Sequence, residues 1–281
     1  MTFEFRACTF RFVACEPVIF DAWGSGNWLR GAFGAALREI ACAPDCPGRS
    51  GMPVLSCPHR ENCIYARIFE PVSPIGPSGL ADPPRPFVFR LRHLANRSIS
   101  PGSEFSVQMN FFDSRRPDFQ ELAHVFGRLA RAKLADTSST LFSLSLGSLL
   151  DQPKRLCVRF LSPTELKSAG APFEFSTLFA RARDRVSTLR SLYGPGPLDV
   201  QFRALGERAR AVRITRMDLH RVRRERTSGR TGQTHGIGGF MGVVEYDGPV
   251  AEFIPILQAA RWTGVGRHCV WGNGEIAIDA K

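Results

Sequence analysis

The order strand, helix, strand, strand, helix, strand occurs twice along this chain and predicts an α+β protein of two tandem ferredoxin-like (RRM-like) domains. A Cys-rich insertion at residues 42–70 interrupts the first domain, and a glycine-rich loop lies near the C-terminus. The turn-forming sequence Asp151-Gln152-Pro153 separates the two runs. We therefore predict an N-terminal domain at residues 1–151 and a C-terminal domain at 152–281.

The elements of the first half follow from hydrophobic periodicity. Alternating side chains over residues 2–13 predict a strand, and apolar residues at helical spacing over 28–40 predict a helix that starts at the turn 24–27. Residues 87–94 and 104–111 resemble a strand pair, and 119–130 a second helix. Leucines at 141–146 indicate the closing strand. The Pro-rich stretch 71–86 is expected to be a surface connection.

The second half repeats this order. Residues 155–161 predict a strand, and 175–193 predict a long helix whose other face carries Arg181, Arg183, Arg185 and Arg190. A strand at 209–226 is expected to enter a hairpin and to pair with 240–246. A helix over 250–260, the glycine-rich loop and a final strand complete the domain.

The charge of the chain indicates its class of partner. The formal net charge is +11, and most of the excess is arginine, whose planar donor fork suits phosphate. Nucleic acid is therefore the favoured partner, with a merely soluble basic surface as the alternative. No apolar run approaches the roughly 20 residues that span a bilayer, and the chain start lacks a signal-peptide core. We expect a cytoplasmic protein without a membrane partner.

Two basic segments are candidate RNA-binding sites. The segment 208–230 holds nine arginines against two acids, and we assign RNA contacts to Arg221, Arg223, Arg224, Arg226 and Arg230. The loop 264–274 has four glycines in eleven residues, which permit positive φ and close approach of a ligand. Its candidate RNA contacts are Gly264, Gly266, Arg267 and His268.

Four cysteines form a candidate metal site. Cys42, Cys46, Cys57 and Cys63 lie in the Pro/Gly-rich insertion, and four thiolates, or three thiolates and His59, could complete a tetrahedral zinc shell. The spacing is less regular than a double CxxC, so reduced cysteines in an ordered loop are the alternative. If zinc binds, its role is structural, because no general base lies beside the cluster in the sequence.

Three short sequences carry a family resemblance: GNWLRGAFG at 26–34, FLSPTELK at 160–167, and GGFMG at 238–242 followed by GVGRHCVWGNG at 264–274. The last pair resembles the glycine-rich signature of the RAMP superfamily of CRISPR proteins. More narrowly, the chain resembles the repeat-specific endoribonucleases that cut precursor CRISPR RNA.

The resemblance implies binding of CRISPR repeat RNA and metal-independent cleavage without a cofactor. In that reaction the ribose 2′-OH attacks the adjacent phosphate and leaves a 2′,3′-cyclic phosphate and a 5′-OH. The protein would then stay bound to the processed crRNA. Family members often place a histidine on or near the first helix, but residues 20–41 contain none. The candidate catalytic residues are therefore Arg30 and Arg38, acting through their charge, and His235 as an acid–base group.

Several alternatives remain open. The chain could be a non-catalytic RNA-binding subunit of a CRISPR effector complex, with other subunits as partners, or a general basic RNA-binding protein. Arg30, Gly34 and Arg38 lie four residues apart along the first helix. They are either a phosphate-contacting stripe with a gap at Gly34, or two solvated arginines beside a packing glycine.

Overall fold

The computed structural model describes residues 1–42, 46–72, 83–116, 119–129, 131–147, 151–167, 173–227 and 234–281. Within these ranges, the side chains of Ser50, Arg226, Thr227, Thr234 and His235 are not described. The chain divides into two compact units. The N-terminal unit contains Glu4–Phe142 and Ser191–Gly194, and the C-terminal unit contains Met1–Phe3, Ser143–Arg190 and Pro195–Lys281.

The N-terminal unit is built on a four-stranded sheet with strand order β3-β5-β1-β6. Strand β1 pairs antiparallel with β5, and β5 pairs antiparallel with β3. In chain order the elements are β1 (Thr2–Ala14), β2 (Val18–Phe20), α1 (Ser25–Ala41), α2 (Ile64–Ile68), β3 (Phe87–Arg90), β4 (Arg97–Ile99), β5 (Glu104–Phe111), α3 (Phe119–Gly127) and β6 (Ala132–Ser145).

Phenylalanines fill the core of this unit. The Phe10 and Phe126 rings stack with centroids 3.8 Å apart, and the Phe33 ring of α1 contacts Phe126 at 5.4 Å. Helix α1 begins beside Asp21, whose carboxylate accepts hydrogen bonds from the backbone N–H groups of Gly24 and Ser25. Because that carboxylate satisfies helix-terminal N–H groups, it stabilises the start of α1.

The C-terminal unit has a second four-stranded sheet, with strand order β12-β7-β11-β8 and antiparallel pairing throughout. Its elements are β7 (Arg155–Thr164), α4 (Phe175–Tyr193), α5 (Phe202–Ala209), β8 (Arg213–Val222), β9 (Glu225–Thr227), β10 (Thr234–Gly236), β11 (Gly239–Asp247), α6 (Ile254–Thr263) and β12 (Ile276–Ala280). The predicted α+β class is thus confirmed, and both strand orders agree with a ferredoxin-like arrangement.

Some predicted elements were wrong in extent. Strand β6 begins at Ala132, whereas the leucine pattern indicated a strand only from about Leu141. The earlier part was missed because its side chains are largely exposed and show no clear apolar alternation. The strand expected from residue 209 begins at Arg213, after the unpredicted helix α5. The two-stranded pairs β2–β4 and β9–β10 were also unpredicted. Residues 73–82 of the predicted connection and Ala130 of the predicted second helix lie outside the described residues.

Candidate functional site

Aromatic rings hold the two candidate arginines of the first helix. The guanidinium carbon of Arg30 lies 4.5 Å from the centroid of the Phe69 ring, and that of Arg38 lies 4.6 Å from the centroid of Tyr65. Tyr65 belongs to α2, and Phe69 directly follows it. A guanidinium over an aromatic face is attracted by the ring's electron density. The α1 arginines therefore lie on rings of a neighbouring segment.

Gly34 makes this packing possible. A Cβ atom at this position would lie 2.1 Å from the Cζ atom of Phe69, well inside van der Waals contact. The space beside Gly34 is therefore filled by the Phe69 ring. This favours the interpretation of Gly34 as a packing glycine and argues against a gap for a ligand.

Two further charged groups complete this region. The Tyr65 hydroxyl donates a hydrogen bond to Glu70 Oε1 at 2.9 Å, and Arg38 Nη2 lies 3.7 Å from the same oxygen. Arg85 Nε donates to the Phe69 carbonyl oxygen at 2.6 Å. Burial, followed by the hydrogen bond to Glu70, raises the pKa of Tyr65, so its phenol keeps its proton at neutral pH. We call Arg30, Arg38, Tyr65, Phe69, Glu70 and Arg85 the arginine–aromatic cluster.

The four predicted metal ligands include three cysteines that are buried together, but they do not form a recognisable metal site among the described residues. Cys42, Cys46 and Cys57 are buried together, Cys63 is half-buried, and all are free thiols. Burial and a hydrogen bond with Cys46 raise the pKa of Cys42 to about 11. Among the residues that the structure describes, however, no group of three or more His, Cys, Asp or Glu side chains is placed to hold a metal ion. Zinc at these four cysteines therefore stays a prediction.

The predicted basic hairpin is an edge strand with a short extension. Strand β8 is the outer strand of its sheet, most of its side chains are exposed, and Arg221 lies opposite Phe240 of β11. Beyond it Arg223 is exposed and Arg224 is half-buried. The backbones of Arg226 and His235 are partners in the β9–β10 pair. Arg230 lies outside the described residues.

The α4 arginines stabilise the protein's own backbone. Arg181 donates to the Lys167 carbonyl, Arg185 to the Thr263 carbonyl and Arg190 to the Thr2 carbonyl, each at 2.8 Å. Arg183 is 9% exposed and pairs with Asp184 at 2.7 Å. Much of the arginine content of this helix therefore has structural partners, so the net charge overstates the surface available to an anionic ligand.

The glycine-rich loop is shaped by close backbone approaches. Gly264, Gly266, Gly272 and Gly274 all have positive φ. A Cβ on Gly266 would lie 2.2 Å from the Glu165 carbonyl oxygen, and one on Gly274 would lie 2.0 Å from the Val265 carbonyl oxygen. At these two glycines the position of a Cβ atom is therefore occupied by the protein's own backbone, and no space for a ligand is left there.

Arg267 and His268 project from this loop beside Glu165. Arg267 Nη1 lies 2.7 Å from Glu165 Oε1, and His268 Nε2 lies 3.8 Å from Glu165 Oε2. The His268 ring stacks on Trp271 with centroids 4.3 Å apart. His268 also has a φ of 61°, a left-handed conformation uncommon for a residue with a side chain. The loop therefore presents its cation and its imidazole in fixed positions.

The structure groups the candidate residues into separate sets. Arg30 and Arg38 belong to the arginine–aromatic cluster of the N-terminal unit, whereas the hairpin and the glycine-rich loop belong to the C-terminal unit. Sequence analysis missed Phe69, Glu70 and Arg85 as members of this cluster. Phe69 and Glu70 lie at the end of the Cys-rich insertion, and that position is the one sequence feature that could have drawn attention to them. In the described part of the chain, no helix is long and apolar enough to cross a membrane.

Each half of the chain matches a protein-family model. Residues 158–276 match the family model of the CRISPR-associated endoribonuclease Cas6, and residues 3–148 match the model of the AF_1859_N N-terminal domain. No curated protein sequence matches the chain.

Solved structures share its fold. Cas6 of Thermus thermophilus is 15% identical with a TM-score of 0.57, and the match covers 99% of each chain. A Cas6b crystal structure is 12% identical with a TM-score of 0.50, again over 99% of each chain. A chain of a Cas6-RT-Cas1–Cas2 complex is 11% identical with a TM-score of 0.59, over 99% of this chain and 29% of that one.

Proposed function

Because residues 158–276 match the Cas6 family model and a solved Cas6 structure shares the fold of the chain, we propose that this chain is a Cas6-type endoribonuclease, which binds CRISPR repeat RNA and cuts precursor crRNA at one site. The reaction is attack of a ribose 2′-OH on the adjacent phosphate, which yields a 2′,3′-cyclic phosphate and a 5′-OH. The nucleophile is part of the RNA, so the protein must position the strand, transfer protons and balance developing negative charge.

The observation that carries this proposal is the arginine–aromatic cluster. It places the guanidinium groups of Arg30 and Arg38 on the face of α1 that meets Tyr65 and Phe69. Guanidinium groups bind phosphate oxygens in bidentate fashion and stay protonated throughout. We assign charge stabilisation to these two arginines, with no cofactor in the chemical step, and keep His235 as the alternative acid–base group.

RNA binding is assigned to the C-terminal unit as well. Arg221, Arg223, Arg224, Arg226 and Arg230 of the hairpin are the proposed contacts, together with Arg267 and His268 of the loop, whose backbone Gly264 and Gly266 shape. The exposure of Arg221 and Arg223, and the fixed positions of Arg267 and His268, support this assignment. Multiple phosphate contacts would hold the RNA after cleavage, and a product complex is known for a similar Cas6.

Incubation of the purified protein with its repeat RNA in the presence of EDTA tests the proposal. We expect one cut, with ends resistant to phosphatase until the cyclic phosphate is opened. Two distinct products identify an endonuclease, whereas bound but intact RNA identifies a binding protein. Uncut RNA at every protein concentration would show that the cleavage proposal is wrong.

A non-catalytic role in a CRISPR effector complex is the second candidate. Helix α1 has no histidine, and Tyr65 in the arginine–aromatic cluster keeps its proton near neutral pH. Neither observation favours a strong general base beside Arg30 and Arg38. A similar chain occurs in a complex with Cas1 and Cas2, so protein partners are part of this candidate. Either role places the protein in the cytoplasm, with the transcript it acts on.

We further propose a structural zinc ion on Cys42, Cys46, Cys57 and Cys63. The joint burial of three of these thiols supports it, as does the hydrogen bond between Cys42 and Cys46. A Cβ on Gly48 would lie 3.2 Å from Cys42 Sγ and 3.5 Å from Cys46 Sγ, so this glycine leaves room beside both sulfurs. Four thiolates around zinc would connect the end of α1 to the start of α2.

A further inference from the structure

The two rings beneath Arg30 and Arg38 belong to the buried part of the N-terminal unit. Phe69 is 6% exposed and Tyr65 is 5% exposed, so neither ring can move far without disturbing its neighbours. The Arg38 side chain, in contrast, is 31% exposed. A partly accessible guanidinium therefore rests on a fixed ring.

Each arginine is restrained through its aromatic partner or through a charge beside it. Arg30 and Arg85 both lie over Phe69, with guanidinium carbons 4.5 and 5.5 Å from the ring centroid. Arg38 lies over Tyr65 and is 3.7 Å from Glu70, to which the Tyr65 hydroxyl donates. These contacts limit the orientations of the guanidinium groups before any ligand binds.

The helix itself is adapted to this arrangement. Phe69 can reach α1 only because residue 34 has no side chain, since a Cβ there would overlap the ring at 2.1, 2.5 and 2.5 Å. Gly31 is one turn earlier on the same helix, and a Cβ there would meet nothing within 4 Å. The requirement for glycine is therefore specific to the position where the ring docks.

We infer that Phe69 and Tyr65 are positioning residues for Arg30 and Arg38, and that Gly34 is the residue that admits Phe69 to the site. The inference rests on the proposed cleavage function. Charges held in place before the reaction stabilise a transition state without reorganising at that moment. A displacement of the ring should therefore reduce the rate of cleavage far more than it reduces RNA affinity.

The first test compares Gly34→Ala with Gly31→Ala. Single-turnover cleavage at saturating protein, the Kd for a repeat RNA that cannot be cut, and the melting temperature are measured for each. We expect Gly34→Ala to cut about tenfold to a hundredfold more slowly, because a displacement of about 1 Å has effects of this size. Its Kd should stay within about threefold of wild type. Gly31→Ala should match the wild-type rate.

The second test works even if Gly34→Ala does not fold. Tyr65→Leu removes the ring under Arg38, whereas Tyr65→Phe keeps the ring and removes only the hydroxyl group. We expect Tyr65→Leu to lose about tenfold or more in rate, and Tyr65→Phe to restore most of that loss. Phe89→Leu is the packing control, since the Phe89 ring contacts Phe33, Phe87 and Phe126 in the same core.

Three results would overturn the inference. Wild-type rates in Gly34→Ala and Tyr65→Leu, with slow cleavage in Arg30→Ala, would refute the positioning role and leave the proposed function intact. Equal rate losses in Phe89→Leu and Tyr65→Leu would show that Tyr65 acts only as a core residue and does not position Arg38. Full activity in both Arg30→Ala and Arg38→Ala would refute the proposed catalytic arginines and the positioning role together.

Discussion

Substitution of Gly266 by alanine should damage both the stability of the glycine-rich loop and its RNA contacts. Gly266 has a φ of 83°, and a Cβ there would lie 2.2 Å from the Glu165 carbonyl oxygen. That oxygen accepts the Arg267 N–H at 2.9 Å, so the backbone that must move also carries Arg267 and His268. Gly102 has a φ of 80° and open space where its Cβ would lie, which makes it a matched control.

Both variants have the cost of a left-handed alanine, but only Gly266→Ala has an additional cost from steric overlap. A left-handed alanine costs about 1–2 kcal/mol, and this applies to both positions. Only at Gly266 must the loop also move away from the Glu165 backbone by about 1 Å, and such overpacking costs about a further 1–3 kcal/mol. We expect losses of about 1–2 kcal/mol for Gly102→Ala and about 2–5 kcal/mol for Gly266→Ala. Each kcal/mol lowers the melting temperature by roughly 2–4 °C.

Thermal unfolding and RNA binding, measured side by side, check this prediction. Gly266→Ala should melt several degrees below Gly102→Ala and bind repeat RNA about tenfold or more weakly, whereas Gly102→Ala should bind normally. Equal melting temperatures of Gly266→Ala and Gly102→Ala would show that the close contact with Glu165 adds no destabilisation. Normal RNA affinity in a destabilised Gly266→Ala would remove Arg267 and His268 from the proposed interface.

Four further predictions concern catalysis, binding, metal and pH. Arg30→Ala should slow cleavage about a hundredfold or more and Arg30→Lys should recover part of it, with no break in the pH–rate profile near neutrality. His235→Ala should then be almost silent; a large loss there with a titration near pH 6–7 would favour the histidine instead. Arg221→Ala should weaken RNA binding and reduce the slope of log affinity against log salt by up to about one unit; an unchanged slope would place the phosphates elsewhere. Elemental analysis should find about one zinc per chain, and Cys42→Ser should lower the melting temperature before it affects cleavage; a stable, metal-free protein contradicts zinc. Burial raises the pKa of Cys8 to about 12. The free energy of unfolding should therefore be unaffected by this thiol below about pH 8.5 and should decrease as the pH rises from there towards 12. Urea titrations at pH 7 and 10 should show a smaller decrease for Cys8→Ala than for wild type.

Periodic elements were predictable because one face of each is buried. Helix α4 spans Phe175–Tyr193 as its apolar spacing predicted, and β5 spans the predicted Glu104–Phe111. Strand β6 was foreshortened in the prediction, since an edge strand with exposed faces has no hydrophobic alternation to detect. The short helix α2 carries Tyr65 at the start of the arginine–aromatic cluster but is too short for a periodic signal.

The sequence by itself determined the class of fold and indicated the family whose model matches residues 158–276, because element order and glycine-rich signatures are local properties of the chain. It also drew attention to Arg30, Gly34 and Arg38, whose spacing places them along one side of a helix. Only the tertiary structure decided what lies against them. Phe69 fills the space at Gly34 from 35 residues further along the chain, and the α4 arginines find carbonyl partners in distant segments. Such contacts depend on how separate elements pack, and no local pattern encodes them.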